Sequence, residues 1–319
     1  MNASNGLGRV CCITVTYQPD LSVLRRQMQA LPPACRRVVV DNASDPTLLV
    51  LLRDLAAEFG AALEVNATNA GLASAQNQGA TTAIRLFPDA EFLLFLDQDT
   101  EADASGVATL LAGYRSAASE RGPGAAGPRM IDVATGMHHG FHIIRDLRWL
   151  RIYPYPSQRT PVECANLNGS GTLVPIDVWR ASGGMDESLF IDHVDTDWAF
   201  RMLARGYRLY GIPAAQFTHR MGEATMRVWL FGWHLWPTRS PTRHYYLFRN
   251  TVRLMRRSYV PVLWKAWAGI KLLVTSFVVP LVDSRGRQQI TQMLAGLRAG
   301  FREDPSQTDY ATERPNPPP

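Results

Sequence analysis

Five aspartates and one histidine carry the chemistry open to this sequence. EFLLFLDQDT, residues 91–100, is a short apolar run that stops at Asp97 and Asp99. FIDHVDTDWAFR, residues 190–201, gathers Asp192, Asp195 and Asp197. His219 follows in QFTHRMGE, 24 residues past Asp195. Two carboxylates closing a core strand repel each other when both are charged and unpaired. A hard divalent cation removes that repulsion, because Mg2+ or Mn2+ takes oxygen ligands and keeps positions open for phosphate oxygens. The DQD segment therefore reads as a metal site facing a diphosphate. Crowding at Asp192, Asp195 and Asp197 raises a carboxylate pKa, which suits a general base. Asp197 stands four residues before Arg201, an ion-pair spacing on a helix, so its expected role is supporting.

These groups act together only if the fold brings them to one edge. Residues 9–17 (RVCCITVTY), 37–40, 63–66 and 92–96 read as buried strands. Helices are expected over 21–31, ended by Pro32-Pro33, over 47–59 with Gly60 as cap, and over 72–87. Strands alternating with helices imply βαβ units and a parallel sheet. Ligands of such sheets bind at the carboxyl ends of the strands. The polar clusters TYQPD, DNASD, NAG and DQD all fall at such ends. Past residue 105 the pattern loosens. Residues 122–128 read as a Gly/Pro/Ala loop, 168–172 as a glycine turn, 176–181 as a short helix, and 192–204 as an acidic-to-basic helix.

The bulk numbers are compatible with one large α/β domain and an appendage. The chain has 319 residues, 46% hydrophobic, with a net charge of +5. A basic chain suits an anionic partner. GxGxxG and GxxxxGK[ST] are absent after the first strand, which argues against a nicotinamide or ATP site. Cys11, Cys12, Cys35 and Cys164 show no metal spacing and read as reduced thiols of a cytosolic protein. The first ten residues lack the pattern of a signal peptide. The long apolar stretch 260–282 is interrupted by Lys265, Lys271 and Pro280 and falls short of a clean spanning helix.

Five segments in order, VTYQPD, VVVDNASD, NAGLASAQNQG, FLDQDT and FIDHVDTDWAFR, resemble the family 2 nucleotide-sugar glycosyltransferases. These have the GT-A fold, and the order and spacing look most like the bacterial rhamnosyltransferase branch, which uses dTDP-L-rhamnose. The likeness spans roughly residues 9–222. It implies that Thr16, Tyr17, Asp41 and Asn42 hold the nucleoside. Asn69, Gly71, Gln76, Asn77 and Gln98 would line the nucleotide and diphosphate, and Ser170 and Gly171 would stand near the transferred sugar. Asp97 and Asp99 would form the metal-binding DxD motif, with His219 as third ligand. Asp195 falls at the general base. The acidic residue that many members carry directly before the base is here Val194, which leaves Asp192 open as an alternative.

The resemblance implies a single displacement with inversion, in which a base-activated acceptor hydroxyl attacks opposite a metal-bound diphosphate. Residues 227–267 combine arginines with Trp229, Trp233, Trp236, Trp264 and Trp267. Basic residues beside Trp and Tyr suit an anionic membrane interface. A peripheral position on the inner membrane, near a lipid-linked or glycan acceptor, is therefore expected; the same stretch is compatible with a homo-oligomer interface. HYYLFRN, 244–250, again resembles the rhamnosyltransferase branch. The expected organisation is a flexible N-terminus (1–8), a catalytic domain (9–238), a basic helical region (239–303) and a disordered tail (304–319). Three rivals are a nucleotidyltransferase, which wants a basic Gly-rich loop absent from TYQPDLSVLRRQ, a non-catalytic sugar-nucleotide binder, and a nucleic-acid binder, for which no motif appears.

Overall fold

A computed structural model describes residues 4–133, 135–219, 225–229 and 233–302. Side chains of 4–5, 225–229 and 233–237 lie outside that description, as does the tail 304–319, so Trp229, Trp233 and Trp236 are not placed. The first half builds as the alternation requires: β1 Val10–Thr16, α1 Leu21–Ala30, β2 Arg36–Asp41, α2 Pro46–Glu58, β3 Ala62–Val65, α3 Leu72–Leu86 and β4 Phe92–Asp97. β1 pairs in parallel with both β2 and β4, and β2 with β3. Along β1, Cys11 and Ile13 enter one hydrophobic cluster while Val10 and Cys12 enter the other. Both faces of the strand are covered, which is why it reads as an unbroken apolar run.

The second half completes one mixed sheet. α4 Ala104–Arg121 leads into β5 Gly124–Asp132, and the chain returns through β6 Leu173–Pro175, α5 Val194–Ala204 and β7 Arg208–His219. β7 runs parallel to β5, whereas β6 is antiparallel to both β4 and β5. The main lateral order is therefore β3, β2, β1, β4, β6, β5, β7. A hairpin, Phe141–Arg145 with Arg148–Ile152, stands beside this sheet.

Two sequence expectations need correction. The loop expected over 122–128 is largely the buried strand β5. Its small residues serve close approach rather than turning: a Cβ on Gly124 would sit 1.8 Å from the Arg208 carbonyl oxygen. The helix expected to begin at 192 begins at Val194, because Asp192 and His193 both hold φ of 64°. That left-handed geometry cannot continue a right-handed helix.

The C-terminal helices are α6 Pro241–Arg256, α7 Val262–Val282 and α8 Gly286–Arg302. α8 packs along α6. α7 buries Trp264, Ala268, Thr275, Val278 and Val279 against the protein, yet leaves Trp267, Ile270, Leu273, Phe277 and Leu281 exposed. It is the one helix among the described residues long and apolar enough to cross a membrane.

Candidate active site

β4 delivers Asp97 to the carboxyl edge, and a tight turn brings Asp99 round beside the end of β7. There one ligand atom from each of Asp97, Asp99 and His219 falls within 4.8 Å of the others. His219 Nδ1 stands 3.3 Å from Asp99 Oδ1 and 2.8 Å from Thr100 Oγ1. Thr100 Oγ1 in turn bonds Ser170 Oγ at 2.7 Å, and Ser170 Oγ accepts the Asp97 N–H at 2.9 Å. Gln27, fully buried, donates to the carbonyls of Asp97 and Thr100 at 2.6 and 2.7 Å. Gln27 thus holds the turn from behind. Burial raises the Asp97 pKa; His219 opposes that and Asp99 adds to it. A cluster of two carboxylates and an imidazole fits a divalent cation, whose charge would reverse that penalty.

The ends of β1 and β2 form a second polar patch. Asp41 is fully buried and accepts from Thr16 Oγ1 at 3.0 Å and from Ser44 Oγ and N at 2.6 and 2.8 Å. Asn42 donates to Asn69 Oδ1 at 2.9 Å and accepts from Ala70 N at 2.9 Å. Gly71 caps α3 with φ of 87°, and a Cβ there would meet Phe190 at 2.5 Å. Tyr17 is half-exposed, and its N–H is held by Gln98 Oε1 at 2.9 Å. Gln76 is buried, with its Oε1 unpartnered. Asn77 departs from its expected role: both ends of its amide are spent on Met185 and Glu187, tying α3 to the segment before the acidic cluster. Ser170 and Gly171 lie beneath the DQD turn, with the Gly171 N–H on the Phe95 carbonyl at 2.7 Å.

The three clustered aspartates separate sharply. Asp197 is fully buried, bonded by Arg201 at 2.8 Å, by Tyr259 at 2.6 Å and by Arg257, which also grips Asp186. It is a core ion-pair residue and does not face the cleft. Asp192 is clamped by Arg243, through 2.9 and 2.8 Å bonds, and by Arg239 at 3.2 Å. Burial alone would push Asp192 up, but these arginines hold it below the usual carboxylate range. Asp195 has no cation partner among its hydrogen bonds: its oxygens accept from Thr196 N at 2.8 Å and Gly169 N at 3.1 Å. Burial pushes its pKa up, and the nearby Asp97 charge adds to the rise. It also lines a cavity of about 140 Å³ beside β5.

The loop ahead of Asp195 is strained: Phe190, Asp192 and His193 all take positive φ. Asn250 Nδ2 lies 2.8, 2.8 and 2.9 Å from the carbonyls of Leu189, Ile191 and Asp192. Arg249 adds bonds to the carbonyls of Ser188 and Leu189. HYYLFRN on α6 therefore clamps the loop that leads into Asp195.

No family model matches the chain. It is 31% identical over 255 residues to the dTDP-rhamnosyl transferase RfbF of Shigella flexneri, covering 80% of this chain and 82% of that protein. The chain belongs to the rhamnosyltransferase branch of the family 2 glycosyltransferases. Its fold is GT-A. The structure of GalNAc-T7 with UDP, GalNAc and Mn2+ matches 90% of the chain at a TM-score of 0.58 and 17% identity, and the chain spans 55% of that protein. The mannosyltransferase PcManGT of Pyrobaculum calidifontis, with GDP-Man and Mn2+, matches 92% of this chain and 75% of its own at 0.53 and 16% identity. S. aureus TarS 1–349 with UDP-GlcNAc gives 0.52 and 16% identity over 91% of this chain and 81% of its own.

In this glycosyltransferase, sequence reasoning missed Gln27, Thr100, Arg239, Arg243 and Asn250. Gln27 carries no local signal, being one glutamine inside an amphipathic helix. Arg243 and Asn250 had one, since they belong to the TRHYYLFRN stretch. Their partners, however, lie about fifty residues upstream across a gap that only the fold closes.

Proposed function

We propose that this glycosyltransferase transfers L-rhamnose from dTDP-L-rhamnose to a hydroxyl of a glycan or lipid-linked oligosaccharide, with inversion, in cell-surface polysaccharide synthesis of O-antigen or capsule type. The observation that carries the reading is the contrast along the ligand edge. Asp97, Asp99 and His219 converge as a ligand set, while Asp195 alone of its cluster lacks a cation partner. The donor follows from the likeness to the Shigella flexneri rhamnosyl transferase.

Thr16, Asp41, Asn42 and Asn69 would order the nucleoside end, with Tyr17 and Gln98 at its mouth. Asp97, Asp99 and His219 would hold Mg2+ or Mn2+. When bound, the cation supplies positive charge to the diphosphate leaving group. Asp195 takes the proton of the acceptor hydroxyl as its oxygen bonds to the anomeric carbon and the bond to the diphosphate breaks. Arg243, shared between Asp192 and the field at Asp97, keeps Asp192 ionised and leaves Asp195 as the group able to exchange a proton.

The exposed stripe Trp267, Ile270, Leu273, Phe277 and Leu281 would lie on the cytoplasmic face of the inner membrane, with Arg285 and Arg287 exposed beyond its end. The test of the function is a thermal-shift panel of dTDP-, UDP- and GDP-sugars with and without Mn2+. A metal-dependent shift largest for dTDP-L-rhamnose is expected. Equal shifts for all donors, or none with metal, would overturn the reading.

A further inference from the structure

His142 and Asn166, which line the cavity beside Asp195, each carry a buried polar atom that nothing satisfies. His142 Nε2 is bonded by Arg151, whose Nη2 stands at 3.0 Å. Arginine only donates, so Nε2 must be the lone-pair nitrogen and Nδ1 carries the ring proton. Burial and Arg151 also hold the His142 pKa down to about 4, which keeps the ring neutral. Trp149 stacks on the ring at 5.2 Å and fixes its plane. The resulting Nδ1–H is buried without an acceptor. Beside His142, its partner in an isolated antiparallel bridge, Asn166, donates from Nδ2 to Thr196 Oγ1 at 3.3 Å, and Thr196 faces Asp195. That orientation leaves Asn166 Oδ1 buried without a donor. Buried polar groups are rarely orphaned in a native fold, and an orphaned donor and acceptor in one cavity point to a ligand that supplies the complement.

We infer that this cavity is the acceptor subsite, with His142 Nδ1–H and Asn166 Oδ1 holding hydroxyls of the sugar whose neighbouring hydroxyl meets Asp195. The inference rests on the function proposed above. A hydroxyl both donates and accepts, so a polyhydroxylated ring satisfies both orphans. The cavity is walled by β5 and the hairpin, several strands from the nucleoside-side residues on β1 and β2, and Asp195 is part of its lining. The cavity adjoins a second, of about 180 Å³, sharing His139 and Phe141 with it. That one is lined by the exposed Tyr153 and Tyr155 and by buried Arg129, whose Nη1 is also orphaned. The acceptor is therefore an oligosaccharide of at least two units, its second ring against the tyrosines.

The experiment measures transfer of radiolabelled rhamnose from dTDP-L-rhamnose to membranes of the parent bacterium with this gene deleted, alongside the Mn2+-dependent dTDP thermal shift. Asn166→Ala and His142→Leu should raise the KM for membrane acceptor roughly 10- to 100-fold, the effect of leaving one buried partner unpaired. The dTDP shift should stay at the wild-type value. His142→Asn, which puts an amide N–H near the Nδ1 position, should recover most of the loss; a purely structural role would not be rescued. Tyr155→Ala should raise the same KM with kcat unchanged. Unchanged acceptor KM in the first two variants overturns the inference, as does loss of the dTDP shift in variants that remain folded. So does a wild-type enzyme that gives the shift but transfers nothing to these membranes. Absence of the wild-type shift would instead overturn the donor reading.

Discussion

Asp195→Asn isolates the proposed base with the smallest change in shape. Asparagine keeps the volume but has one carbonyl oxygen in place of two. Asp195 now accepts Thr196 N at 2.8 Å and Gly169 N at 3.1 Å, and the variant can satisfy only one of them. The orphaned N–H costs about 1–3 kcal/mol of stability. An opposite contribution offsets part of this. Burial raises the folded-state pKa of Asp195, so the ionised form destabilises the fold as pH rises through that value, and the amide is free of that cost. The net Tm change should be only a few degrees. Catalysis has no such compensation. Loss of a general base lowers kcat by about 10²- to 10⁴-fold, which is about 3–5 kcal/mol at the transition state. The assay is kcat for transfer, with donor affinity followed by the dTDP thermal shift. In the wild type the rate should fall on the acid side with a midpoint above the ordinary carboxylate range, and that limb should vanish in the variant. A folded Asp195→Asn enzyme with intact donor binding and kcat within tenfold of wild type would refute the base assignment.

Asn250→Ala releases three carbonyls of a loop with three positive-φ side chains, so kcat should fall at least tenfold while the Mn2+-dependent dTDP shift is kept; equal loss of both would contradict a positioning role. Arg257→Met leaves Asp186 without its arginine and Asp197 with only Arg201 and Tyr259. Breaking a buried pair of this kind costs about 3–5 kcal/mol, readable as the drop in urea midpoint. Since Arg257 holds Asp186 below its ordinary pKa, that stabilisation is present above the unfolded carboxylate pKa and is lost as pH falls; the variant should lose much of this acid sensitivity. Phe277→Asp with Leu281→Asp should abolish sedimentation with anionic vesicles and leave donor binding untouched, because both side chains are more than half exposed on α7.

Much of the ligand edge is legible in the sequence because β1, β2 and β4 are covered on both faces and speak through hydrophobicity alone. Asp97 and Asp99 stand out there as charges closing a buried run. β5 does not speak that way. GAAGPRMID opens with small residues, and at Gly124 the β7 backbone comes so close that no Cβ fits, a demand of packing that mimics the composition of a loop. The acidic cluster shows a different limit. An α-helix turns about 100° per residue, so Asp195 and Asp197 point about 200° apart and only one of them can face the cleft. Spacing alone shows that they part company; it does not say which turns inward. Arg201, one turn along the helix, gives a local hint, and Arg257 and Tyr259, distant in sequence, complete the choice by drawing Asp197 into the core. Arg243 makes the matching choice for Asp192. What sets Asp195 apart is therefore written less in FIDHVDTDWAFR than in Arg243 and Arg257 of the C-terminal region, which pair with Asp192 and Asp197 and leave Asp195 without a cation partner among its hydrogen bonds.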